Sequence, residues 1–591
     1  MIRIKARGRG RVAAAIATSL GVMATAGAVT TGPAQSVEPT GDCAVAYPVD
    51  DLVRGQQVEG LTVTEGTIPT PFTGEVIGAL ENGIAPGLDM IMMELDSTEI
   101  QRAGGIWQGM SGSPVYDTTS GDLIGAVAYG LSWGPTPVAG ITPFEKMDDY
   151  LQPSVGLART VEVGSADASR IAAESEVTPN QAGQGFTRLA IPKTFSGVSA
   201  LRLERTATLA PPHGKARPYV ATRFATMSGA ADGVAAGSDL VAGGNLGASF
   251  AYGDITAGGV GTVTSVCEGR LVGFGHPMMF SGRTSLSLHP ASALYVQPET
   301  LGAPFKVANF AAPVGTITDD RTAGISGDLT VLPDTMDVTS NLTYNGETRA
   351  GTTHVSVPAA NAEMTFYEQL VNHDAVLESF GPGSEEQDWT ITGTENTGTL
   401  NETPFTIEHG DRYSSEYDIA FESPWDVADA VWALSRMQGV RVESVTVNGT
   451  LTDDHSTWRV VQVMQRRGGE WVTLTRRRPA IVQSGGSLNL RAVLESGTEE
   501  RTVWLSMPIP ARAARGEGML AVMGGGSSWN WLGGADTVEQ LQDNLSDAAR
   551  NDEVAAQLFI ESRRGSFERA DVGGPTGQVV TGRRMFGLVL R

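Results

Sequence analysis

A serine becomes a nucleophile when a base accepts its proton and when backbone N–H groups await the developing oxyanion. Gly109-Met110-Ser111-Gly112-Ser113-Pro114 holds the residue types for both tasks. Gly109 lets the chain turn so that its own N–H and that of Ser111 point into one oxyanion hole. Gly112 permits close approach behind the hydroxyl, and Pro114 begins a strand where a missing donor is tolerated. Ser113 is the rival hydroxyl in the same string. A nucleophile elbow of α/β-hydrolase type does not fit, because the final glycine is missing and a proline and a strand follow. The base should be an imidazole at a strand exit. His276, between Gly275 and Pro277 after the apolar run 271–274, meets that need. His213, His289, His354, His373, His409 and His455 compete with it, His289 being the nearest in sequence.

The elements that position these residues read as short strands. Gly is abundant at 73 residues, aromatics make up 6%, and apolar residues alternate with Thr, Ser or Gly, a pattern of strands rather than long helices. At 591 residues the chain exceeds one hydrophobic core. Residues 47–152 read as a serine-bearing barrel, 153–185 as a linker with one weak helix over 166–176, and 186–335 as a histidine-bearing barrel. Residues 336–591 read as one or two β-sandwich domains, interrupted by helices over 424–437 and 538–560. The acid cluster Glu385-Glu386-Gln387-Asp388 reads as a solvated loop rather than a cation site, and no metal or cofactor is expected.

After Pro114 come Val115-Tyr116, a turn at Thr118-Thr119-Ser120-Gly121, the strand Leu123-Ile124-Gly125-Ala126-Val127-Ala128-Tyr129-Gly130, and a helix over 144–151. That order resembles the C-terminal barrel of trypsin-like proteases, which implies that Ala128, Tyr129, Gly130 and Leu131 wall a cleft where substrate backbone pairs. The closer resemblance is to the SpoIVB family of serine peptidases, the sporulation signalling peptidases. It rests on Gly104-Gly105-Ile106-Trp107-Gln108 with the Ser111 string, on Leu123-Ile124-Gly125-Ala126-Val127, and on Gly261-Thr262-Val263-Thr264 followed by Gly273-Phe274-Gly275-His276. It implies two chymotrypsin-like β-barrel lobes, a catalytic pair Ser111 and His276, and specific protein substrates in signalling. It also suggests Asp96, 15 residues before Ser111, as the orienting carboxylate. A rival is Asp320, 44 residues after His276, on the unit where a chymotrypsin-like barrel would carry its acid. Here Ser111 precedes His276, whereas those peptidases carry the histidine first; unrelated serine proteases reach one geometry from different chain orders.

The N-terminus carries Arg3, Lys5, Arg7, Arg9 and Arg11 with no acid, then an alanine-rich apolar run to about residue 29. That is the pattern of a signal peptide over residues 1–28, with a linker over 29–46. A membrane tether follows only if the segment stays uncleaved. Its removal moves the net charge from −24 to about −29. So acidic a surface repels polyanions, which excludes nucleic acid as a partner. In an exported chain, Cys43 and Cys267 are a candidate disulfide that would tie the N-terminal segment to the neighbourhood of His276. The expectation is a secreted or cell-envelope serine endopeptidase acting on protein or peptide. The alternative is a non-catalytic binding protein on a protease-like scaffold.

Overall fold

The computed structural model describes residues 43–148, 160–175, 177–189, 193–199, 201–204, 233, 235–299, 303–396, 402–511, 513, 515–527, 534–562 and 565–591. The expected signal segment 1–28 lies outside them, as does most of the linker 29–46. Two compact units divide the chain. One comprises Thr30–Asp337 with Thr352–Met364, and the other includes Val338–Gly351 with Thr365–Arg591.

The first unit contains two closed six-stranded barrels. The strands of the first are β1 (Gln57–Thr62), β2 (Thr70–Ala85), β3 (Leu88–Asp96), β4 (Pro114–Asp117), β5 (Leu123–Leu131) and β6 (Val138–Pro143). They run in the order β1-β2-β3-β6-β5-β4, and β4 closes on β1. Alternate residues point inward, as along β1, where Val58, Gly60 and Thr62 are buried and Gln57 and Glu59 are exposed. Phe72, Val76, Ile91, Met93, Val115, Ile124, Val127 and Ile141 fill the interior, each buried aliphatic side chain contributing about 1.5–3 kcal/mol.

β7 (Thr160–Val161) and β8 (Phe186–Arg188) extend this sheet beyond β5. Between them lie α3 (Ser165–Glu174) and α4 (Pro179–Ala182), after α1 (Thr98–Ala103) and α2 (Phe144–Asp148) earlier in the chain. Thr178 and Gln181 form a capping box at α4. Ala168, Ile171, Ala182 and Phe186 pack with Ile77, Met90, Met92 and Tyr129. The stretch 153–185 is therefore no plain linker in its described part. Its few apolar residues are too sparse to show a period, yet Val161, Val163, Ala168, Ile171, Val177 and Ala182 all pack in the core of the first barrel. For the same reason residues 186–188 belong with the serine-bearing barrel, not with the histidine-bearing one.

β9 (Lys193–Ser196) pairs with residues Thr256–Gly259 of the second barrel. The barrel's strands are β10 (Asn245–Gly253), β11 (Thr256–Cys267), β12 (Arg270–Gly273), β13 (Gly282–Gln297), β15 (Gly315–Arg321) and β16 (Gly324–Asp328), with β14 (Phe305–Phe310) paired to the far half of β13. Their order β10-β11-β12-β16-β15-β13, closed by β13 on β10, repeats that of the first barrel. Leu246, Val263, Leu271, Leu288, Ile317 and Ile325 form its core. A disulfide joins Cys43 to Cys267 at the end of β11, with Cα atoms 4.7 Å apart.

In the second unit, Gly383–Glu395 pairs with both Thr403–Ser415 and Val440–Thr452. The cluster at 385–388 is part of this strand rather than a loop. Glu385 and Gln387 point inward and are buried, while Glu386 and Asp388 face out, the alternation a strand imposes. Further on, two five-stranded sheets share one core of Val460, Val463, Leu488, Leu520, Val522, Leu558 and Leu588, which makes a β-sandwich. The expected helix at 424 is Pro424–Ser435. The one at 538 is shorter than expected, spanning Val538–Asp547. Ala548 turns extended, and Val554–Ser562 is a strand of the sandwich. The chain is thus mostly β, with two chymotrypsin-like barrels followed by sandwich sheets and few helices.

Candidate active site

Ser111 lies on the turn between α1 and β4. The Ser97 hydroxyl caps α1 by accepting from the Ile100 N–H, and Gly104 ends it in the left-handed region. The turn is then pinned by Met110 N–H to Trp107 O at 3.1 Å, Gly112 N–H to Val127 O at 2.8 Å and Ser113 N–H to Met110 O at 3.0 Å. Gly109 and Ser111 are both buried. Among the described residues their N–H groups have no acceptor. An unpaired buried N–H costs about 1–3 kcal/mol, so two on one turn mark a place prepared for an oxygen from elsewhere.

The second barrel holds this turn from behind. Thr262 donates from its N–H to Ser111 O at 2.8 Å and from its hydroxyl to Gly109 O at 3.1 Å, and the Thr264 hydroxyl donates to Gly112 O at 2.8 Å. Gly112 has φ +96°, and a Cβ on it would come within 1.9 Å of Thr262 O. No other residue fits there.

His276 follows β12 in the second barrel. Phe274 just before it has φ +68°, a conformation that costs a bulky residue about 1–3 kcal/mol. The Thr142 hydroxyl donates to Gly275 O at 2.6 Å. His276 Nε2 stands 2.9 Å from Ser111 Oγ, and Nδ1 stands 2.9 Å from Pro277 O. A carbonyl can only accept, so Nδ1 carries the proton and Nε2 accepts from the serine hydroxyl. Both side chains are fully buried. Burial pushes the His276 imidazolium down to about 3, against the Pro277 hydrogen bond and helped by the positive charge of Arg188. The resting imidazole is therefore a neutral base.

Neither carboxylate suggested by the sequence reaches the imidazole. Asp96 sits at the end of β3, exposed, and accepts from Gln101 Nε2 at 2.7 Å. Asp320 is fully buried but bonds the loop beyond His276. It accepts from the N–H groups of Met278 at 2.7 Å, Met279 at 2.8 Å and Ser281 at 3.1 Å, and from the Ser281 hydroxyl. Asp320 thus anchors the loop that carries Pro277, while the Pro277 carbonyl itself orients the ring. A backbone carbonyl in that role leaves no residue type for a sequence search to find. The rival Ser113 is buried with no partner for its hydroxyl among the described residues.

Ala128, Tyr129, Gly130 and Leu131 lie beside the Ser111 turn, since Gly112 and Ser113 bond Val127. They do not form an open wall, however. Tyr129, Gly130 and Leu131 pair antiparallel with Arg188, Thr187 and Phe186, and Leu189 N–H donates to Ala128 O at 3.0 Å. Nothing in the residue types of 186–189 marks them for this edge, because their position depends on packing from 160 onward.

Among the described residues, no group of three or more His, Cys, Asp or Glu is placed to hold a metal ion, and no helix is long and apolar enough to cross a membrane. No family model, curated protein or solved structure matches the chain.

Proposed function

We propose that this chain is an exported serine endopeptidase of SpoIVB-like type that cleaves a specific protein substrate through an acyl-enzyme on Ser111. The observation that carries the reading is one constellation: a serine 2.9 Å from a neutral imidazole nitrogen, on a turn whose own two N–H groups lack acceptors. His276 Nε2 takes the proton as Ser111 Oγ attacks the scissile carbonyl. The N–H groups of Gly109 and Ser111 receive the oxyanion, and Pro277 O holds Nδ1–H while the ring is charged. The imidazolium then protonates the leaving amine, and water, deprotonated by the same nitrogen, releases the acyl group. No cofactor enters these steps.

Export is supported by the charge and apolar pattern of residues 1–28 and by the Cys43–Cys267 disulfide, since such bonds persist in oxidising compartments. The second unit, with its sandwich, would recognise partners or hold the enzyme near its target. The test is labelling of the mature protein with a serine-directed fluorophosphonate. Labelling lost in both Ser111→Ala and His276→Ala is expected. Unchanged labelling in Ser111→Ala overturns the assignment, and no labelling of folded wild type at high probe concentration favours the non-catalytic binding protein.

A further inference from the structure

The strand edge beside Ser111 is already taken. β8 lies antiparallel on β5 in the register Arg188↔Tyr129, Thr187↔Gly130, Phe186↔Leu131, and the ladder continues with Leu189 N–H to Ala128 O at 3.0 Å. One residue further along β5, Val127 bonds Gly112 and Ser113 on the nucleophile turn. Leu189 is therefore a single register step from the turn that carries Ser111. Its side chain is buried with Ile106, Trp107, Met110 and Val127, the apolar residues flanking that turn. Gly130 makes room for it: a Cβ there would meet Leu189 Cδ2 at 3.2 Å and Ile106 Cδ1 at 3.3 Å.

We propose that Phe186–Leu189 is a built-in substrate mimic, occupying in cis the added-strand site on β5 and the apolar pocket that a protein substrate with a large aliphatic residue before its scissile bond would take. This rests on Ser111 being the nucleophile. A substrate adding to β5 gains main-chain hydrogen bonds only where the edge is free, and side-chain pockets supply selectivity. Here the edge is filled by the chain itself, and Ser111 and His276 are fully buried, so an external substrate must first displace residues 186–189. Displacement also withdraws the Arg188 charge that opposes a charged His276. The segment is held by the apolar residues of β7, α3 and α4 on the first barrel, which makes the occupied state the resting one. Latency and specificity thus share one device.

Leu189→Asp places a charge in the apolar pocket, and Thr187→Pro removes one N–H from the strand while leaving the pocket untouched. Both are compared with wild type after circular dichroism and urea titration confirm folding. The expected result is fluorophosphonate labelling at least about tenfold faster in either variant, because the competent fraction rises. The freed site should also hydrolyse the reporter acetyl-Phe-Thr-Arg-Leu-aminomethylcoumarin faster than its Phe-Thr-Arg-Asp counterpart. Labelling of the folded variants at the wild-type rate overturns the mimic and leaves the nucleophile standing. Equal hydrolysis of the two reporters overturns the pocket assignment. Absence of labelling in wild type and both variants overturns the nucleophile and the mimic together.

Discussion

Among the described residues of the barrel-bearing unit, two buried serine–histidine pairs have hydrogen bonds that barely differ. Ser111 Oγ lies 2.9 Å from His276 Nε2, and Ser249 Oγ lies 2.8 Å from His289 Nε2. Each ring gives its Nδ1–H to a backbone carbonyl, Pro277 O at 2.9 Å and Ala311 O at 2.8 Å. Burial keeps both imidazoles neutral, with His289 pushed down to about 4. The backbone around the serine separates them. Ser249 sits inside β10, opposite Gly258 on one side and Ser287 on the other, so strands flank it on both sides. His289 is stacked on Phe310 and edge-on to Tyr252. Ser111 sits on a turn with two N–H groups left over. A serine bonded to a histidine is thus a core contact in one barrel wall, and at a turn with two spare N–H groups it has the surroundings that a nucleophile needs.

The sharpest way to break this comparison is to remove each imidazole in turn. His276→Ala should lower the labelling rate by about 10⁴-fold or more. His289→Ala should leave the rate per folded molecule unchanged while lowering stability by about 2–4 kcal/mol through the cavity and the stranded Ser249 hydroxyl. Labelling kinetics alongside urea titration reads both, and a rate loss in His289→Ala would make the two pairs equivalent. Gly112→Ala comes next. Its Cβ would press into the Thr262 carbonyl, and a cost above about 3 kcal/mol is expected, seen as a lowered urea midpoint together with lost labelling.

Asp320→Asn sharpens the role of the loop after His276. Weakening its bonds to Met278, Met279 and Ser281 should slow labelling by about 10–10²-fold through a misplaced ring, with the shape of the pH profile retained. Asp96→Asn should match wild type within about twofold, since its carboxylate only meets Gln101 at the surface. An equal loss in both would restore Asp96 as a rival.

Acid tests the same two pairs through stability rather than rate. Below about pH 6.5 the unfolded chain protonates both imidazoles, whereas the folded chain keeps His276 neutral to about 3 and His289 to about 4. Their stabilising contribution is complete above pH 6.5 and falls as pH drops, by about 1.4 kcal/mol per unit for each. Urea midpoints from pH 7 to pH 5 should decline accordingly, and less steeply in His289→Gln. His373 in the other unit makes the contrast. Burial alone would lower it, but Glu385 at 2.8 Å raises it instead, so a partner rather than depth decides whether a buried histidine is charged.

The Ser111 turn was legible because its chemistry is local: glycines at 109 and 112 serve backbone needs of the same few residues. The β class was legible for a similar reason, since alternation along a strand such as β1 is written residue by residue. The block 261–264, read together with 273–276 as a histidine-bearing segment, has a further task in the structure. Thr262 and Thr264 clamp the Ser111 turn from the other barrel. Composition hid the structure within 160–185, where a few apolar residues on two short helices show no period of their own.

From the sequence alone came the glycine-framed Ser111 turn, the β character, an even pair of cysteines and the choice of His276 ahead of six other histidines. Tertiary structure alone decided how His276 meets Ser111 across 165 residues of chain, that Pro277 O and not Asp96 or Asp320 bonds its Nδ1, and that Phe186–Leu189 fills the strand edge. The reason is physical. A turn depends on the φ preferences of neighbours, but a hydrogen bond between barrels depends on how two closed sheets pack, which no short stretch of residues encodes.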